Sequence, residues 1–117
     1  MRYVWGMYRV WGELRQRHPN VIWQSCASGG GRADYGILRL ADQVWISDNT
    51  EAIARLQIQH GYSQFLPAHT MEAWVTDWGQ DLIPLEFRFH VSMCGTLGLE
   101  RGSTACFGAS RGPRRAR

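Results

Sequence analysis

Residues 21–36 read VIWQSCASGGGRADYG, and residues 43–50 read QVWISDNT. In both, a short apolar run gives way to small and polar residues, the signature of a strand leading into a loop. Val21-Ile22-Trp23 predicts a buried strand arriving at Ser25-Cys26, and Gln43 to Ile46 a second one ending at Ser47-Asp48-Asn49-Thr50. The three consecutive glycines destabilise any regular element, because glycine loses the most backbone freedom on folding. Something at that point requires a bare backbone.

Helical patterns surround these strands. Tyr3, Met7, Val10, Trp11 and Leu14 recur at three- and four-residue steps opposite Arg9, Glu13, Arg15 and Arg17, which predicts an amphipathic helix ending before Pro19. Tyr35 to Ala41 reads as a short helix. Ala52 to Gln59 reads as another, with Ile53 and Leu56 inward and a glycine cap at Gly61. Ser63 to Leu66 is the candidate third strand, closed by Pro67. Pro84 to Cys94 is the last helix, with Leu85, Phe89 and Met93 or Cys94 inward. Apolar strands alternating with helices indicate an α/β fold whose parallel sheet is covered on both faces. In such folds, chemistry sits on loops leaving the C-terminal strand ends. Both unusual loops fall there.

At 117 residues the chain suits one domain. Its net charge of +3 is uneven, since four of its thirteen arginines are Arg111, Arg114, Arg115 and Arg117. Without that tail the body is close to neutral, so no nucleic-acid partner is expected. Cys26, Cys94 and Cys106 lack metal or disulfide spacing, and no histidine pair has ligand spacing. No metal, cofactor or membrane span is expected, and a reducing, cytoplasmic setting is. From Gly102 onward periodicity is lost, so residues 102–117 read as a disordered or artefactual tail behind a domain at 1–101.

Two readings of the glycines stay open. Arg32-Ala33 stands where a P-loop needs Lys-Ser/Thr, and Asp34 where a dinucleotide fingerprint needs glycine. What remains is a loop lying flat against a small polar ligand such as a sugar, or a tight turn with no ligand. Asp48 is equally double. Asp48-Asn49-Thr50-Glu51 fits a capping box, whereas a carboxyl at a strand end also suits proton transfer.

CASGGGRADYGIL, VWISDNTEAIARLQIQHGYSQFLP, MEAWVTD and RFHVSMCGTLG follow one another in an order and spacing that resemble the family-36 glycoside hydrolases, the melibiase-type α-galactosidases. The resemblance runs from about Tyr3 to Leu99. It implies a partial (β/α)8 barrel, about its second half, from an enzyme that hydrolyses terminal α-D-galactosyl residues of oligosaccharides with retention. It also implies that Asp48 matches the general acid/base. Cys26 and Gly29 match positions lining the galactose subsite near the 2-hydroxyl, with Ala27 and Ser28 completing the loop. The glycines then let main chain approach the sugar where a Cβ would collide. Arg32, Asp34 and Arg55 read as braces. Trp45, Trp74 and Trp78 read as packing residues before sugar platforms.

Two departures accompany the resemblance. Gln24 stands where the family often has Glu. The family's Lys-Trp-Asp nucleophile motif and paired aspartates are absent from these residues. Retaining hydrolysis needs two carboxyl groups roughly 5–5.5 Å apart, so the chain is expected to be inactive alone, from a homo-oligomeric parent. The other reading is a non-catalytic carbohydrate-binding or assembly fragment.

Overall fold

A computed structural model describes residues 2–76 and 82–100. Helix α1 (Arg2–Arg17) precedes four parallel strands, β1 (Gln24–Ser25), β2 (Gln43–Trp45), β3 (Met71–Thr76) and β4 (Thr96–Glu100), which lie side by side in chain order. Helix α2 (Ala52–Ser63) connects β2 to β3, and α3 (Leu85–Ser92) precedes β4. Single 3-10 turns occupy Ile37–Arg39 and Ala68–Thr70. Strands laid down in sequence order with helical connections are the βαβ repeat of a barrel wall.

Register sorts the side chains. Val44 pairs with Met71 and Trp45 with Glu72, so successive residues face opposite ways. Val44, Met71, Ala73 and Val75 are buried on the helix-covered face. Gln24, Trp45, Glu72 and Trp74 share the other face, where the Gln24 amide donates to the Glu72 carboxylate and the Trp74 indole N–H donates to its other oxygen at 2.7 Å. Gln24 thus serves as the carboxylate's donor across β2. Beneath the β1–β2 loop, Ile37, Ala41 and Val44 form a core cluster against Met7, Tyr8 and Trp11 of α1.

Helix α1 has the expected extent but no fully buried residue, and Tyr3 and Val10 of its proposed inner face are exposed. Polar ties add to the packing of its Met7, Tyr8 and Trp11. Arg15 grips Asp42 through both guanidinium nitrogens, at 2.8 and 2.6 Å, and also donates to the Leu40 carbonyl. The Trp23 amide donates to the same carboxylate at 2.9 Å. The Arg15 fork, more than the amide, holds the Asp42 carboxyl below its ordinary value of 3.8, against the opposing effect of burial. A depressed folded-state value contributes stability that is present above 3.8 and lost as pH falls through the lower folded value. We expect an Asp42→Asn variant to show a shallower loss of chemical-denaturation midpoint below about pH 4 than the parent.

Four expectations are corrected. The first strand is Gln24–Ser25; Val21 and Ile22 precede it and are exposed, whereas Ser25 is fully buried. Ser63–Leu66 ends α2 and turns away, and the third strand is Met71–Thr76. Helix α2 runs through Gly61, and its buried side chains are Ala52, Arg55 and Gln59, with Ile53 and Leu56 outside. In α3 the buried residues are Val91 and Ser92; Leu85, Met93 and Cys94 are exposed. The 102–117 tail, Trp78 and Cys106 lie outside the described residues.

Candidate active site

The two loops singled out in the sequence lie against each other at the C-terminal ends of β1 and β2. Ser28 and Gly29 take positive φ of 48° and 73°, which turns the chain sharply after Cys26. A single bridge joins Ala27 to Gly30. The glycines are bare because main chain passes close by. A Cβ on Gly29 would lie 3.1 Å from Ser47 Cα and 3.2 Å from the Asp48 nitrogen. On Gly30 it would lie 2.7 Å from the Ile46 carbonyl oxygen, and on Gly31 2.5 Å from that of Ala27. The close neighbour that excludes side chains is therefore the protein's own backbone.

This juxtaposition brings Gly29 directly onto the segment carrying Asp48. Cys26 and Ser28 are exposed beside it, and Ala27 is half-buried. Arg32 donates to the Cys26 carbonyl at 3.2 Å and to the Tyr3 hydroxyl at 3.3 Å. Asp34 accepts from the Ile37 amide at 2.8 Å and from the Tyr8 hydroxyl. Both residues brace the loop, each by its own bonds.

Asp48 does not cap α2. Glu51 does, accepting from the Ile53 and Ala54 amides at 3.0 and 2.7 Å. The Ile53 and Ala54 donors are thus met from the N-cap itself rather than by a carboxyl three residues upstream. The Asp48 carboxyl is exposed, and its Oδ1 accepts the Trp45 indole N–H at 2.7 Å. Trp45 is itself clamped, with the Trp74 ring 4.9 Å away at 54° and the Arg55 guanidinium 4.8 Å from its centroid. Arg55, 2% exposed, donates to the Ser47 carbonyl at 3.1 Å and the Glu72 carbonyl at 3.4 Å. Burial pulls its pKa down, and the negative charges of Glu72 and Asp48 oppose that pull. Thr50 and Thr76 join their hydroxyls at 2.9 Å, closing the β2 loop onto the end of β3.

Sequence reasoning missed Glu72 as a member of this assembly, and treated Arg55 only as a brace. The cue lay in Ala52, Arg55 and Gln59, spaced for one helix face although two are polar. Gly98 carries a second cue. A Cβ there would meet the Trp74 ring at 2.3 Å, so β4 is bare where the indole lies across it.

Known proteins place this arrangement in context. The melibiase family model matches residues 1–109. The probable α-galactosidase G of Emericella nidulans is 48% identical over 103 residues, which is 84% of this chain and 14% of that protein. The α-galactosidase AgaA of Geobacillus stearothermophilus is 42% identical over 103 residues, 85% of this chain and again 14% of the relative. In structure, the α-galactosidase of Lactobacillus brevis superposes with a TM-score of 0.81 at 42% identity, over 88% of this chain and 14% of that one. A variant of AgaA in complex with raffinose gives 0.81 at 38% identity, over 94% and 16%. The 117 residues thus span about one seventh of these relatives, and the parallel sheet is a part of their barrel. Alike in family model, sequence and fold over most of its length, the chain belongs to the melibiase family, glycoside hydrolase family 36.

Proposed function

We propose that this segment forms one wall of a retaining α-galactosidase active site acting on terminal α-D-galactosyl residues of oligosaccharides. Asp48 is the general acid/base in this reading, and the Cys26–Gly29 main chain lines the galactose subsite. One observation carries it. The Asp48 carboxyl is released from helix capping, held at one oxygen, and set beside the bare loop that begins at Cys26.

The chemistry follows from the two oxygens. Oδ1 receives the indole N–H, so a proton on the carboxyl resides on Oδ2. In the first step that proton moves to the glycosidic oxygen as its bond to the anomeric carbon breaks, the alcohol departs, and the nucleophilic carboxylate bonds to that carbon. In the second step Oδ2 takes a proton from the water that attacks the anomeric carbon, and the bond from that carbon to the nucleophilic carboxylate breaks. The nucleophilic carboxylate comes from residues outside this chain, so the 117 residues alone do not turn over substrate. The exposed thiols of Cys26 and Cys94 agree with a reducing, cytoplasmic setting.

A graft tests the reading. Residues 1–100 replace the matching segment of AgaA from Geobacillus stearothermophilus, to which the chain is 42% identical. The folded chimera is expected to hydrolyse raffinose and p-nitrophenyl α-galactoside, and the isolated chain neither. A folded chimera that binds galactose without turnover would replace this reading with a carbohydrate-binding role.

A further inference from the structure

We propose that Trp45 is a positioning residue for the acid/base, selecting the oxygen of Asp48 that transfers the proton. The inference rests on the function proposed above for Asp48. Its structural basis is independent of that function.

Trp45 ends β2 and is buried, and a buried indole needs only one partner for its single N–H. That partner is Oδ1 of Asp48, at 2.7 Å. An indole can donate and cannot accept, so it never competes for the carboxyl's proton. The bond fixes the plane of the carboxyl and leaves Oδ2 as the oxygen that acts. Free carboxyl rotation would otherwise spread the proton over orientations that miss the glycosidic oxygen, and a small misplacement costs rate steeply.

The clamp gives the indole its own rigidity. Trp74 packs on one flank, and its N–H is tied to Glu72 Oε1 at 2.7 Å. Arg55 lies over the Trp45 ring and holds the Ser47 carbonyl, one residue before Asp48. Aromatic ring, guanidinium and main chain therefore fix both ends of the bond.

The test uses the AgaA chimera and reads leaving-group dependence. Proton donation matters for an alkoxide leaving from raffinose and hardly at all for a dinitrophenolate. A Trp45→Phe variant keeps the ring between Trp74 and Arg55 and removes the N–H. It should lower kcat on raffinose about tenfold or more, with 2,4-dinitrophenyl α-galactoside nearly unaffected and KM little changed. Replacement of Trp45 by benzothienylalanine, which exchanges only the N–H for sulfur, should give the same split and decides the matter if the Phe variant folds poorly. Equal losses on both substrates, or no loss on either, would overturn the proposal. An unsubstituted chimera that folds without turnover overturns the assignment of Asp48 instead, which separates the two failures.

Discussion

Asp48→Asn in the AgaA chimera lowers kcat on raffinose by about 100- to 10,000-fold, the range by which a positioned acid/base accelerates proton transfer. Its unfolding free energy stays within about 0.5 kcal/mol of the parent. The pairing of large kinetic and small stability effects follows from the local structure. Glu51 satisfies the amides of Ile53 and Ala54, so a change at position 48 leaves the start of α2 intact. Asparagine still offers an oxygen to the Trp45 N–H, so no buried donor is orphaned. It cannot carry the proton. Steady-state kinetics and thermal unfolding of one preparation check both halves. A loss of stability without the kinetic loss would mean that Asp48 is architectural.

Gly30→Val has the second large effect, and it acts through the frame. Its Cβ would be forced to within 2.7 Å of the Ile46 carbonyl oxygen, which belongs to main chain leaving β2 and has no rotamer to escape into. Relief requires the 26–31 loop to lift from the Ser47–Asp48 segment. We expect a cost of about 1–3 kcal/mol, the usual penalty of overpacking. Turnover should fall about 100-fold, as when a catalytic group is displaced by about an ångström. Gly61→Ala is the control. Apart from its chain neighbours and the backbone of its own helix, no atom lies within 4 Å of the added methyl group, and Gly61 sits inside α2. That change should stabilise the chimera by about 0.5–1 kcal/mol with activity unchanged. Equal behaviour of the two variants would refute the packing role assigned to the glycines.

The sequence exposed the loops well and the wall behind them poorly. QVWI and the start of α2 were legible because apolar runs and their polar ends follow strand and helix rules. Strand β3 was missed although Met71, Ala73 and Val75 alternate with Glu72, Trp74 and Thr76, because the Ser63–Leu66 stretch closed by Pro67 reads as the strand in its place. Glu72 is held there by Gln24 and the Trp74 N–H, partners 48 and 2 residues away that no local pattern reveals. Helix α2 misled for a related reason. Its buried face carries Arg55 and Gln59, which satisfy the carbonyls of Ser47 and Val91, while its aliphatic Ile53 and Leu56 point out. The need for bare backbone in the GGG run was readable. Its immediate cause, contact with the Ile46–Asp48 main chain, is a tertiary fact.

The most direct measurement concerns the product that an Asp48→Ala chimera makes from p-nitrophenyl α-galactoside in sodium azide. With the acid/base gone and its space vacated, the activated substrate still forms the glycosyl-enzyme on the nucleophile, and azide attacks it from the face that Asp48 serves. The account predicts faster turnover with azide and galactosyl azide of the α configuration. Galactosyl azide of the β configuration would identify position 48 as the nucleophile, and full activity without azide would remove Asp48 from the chemistry altogether.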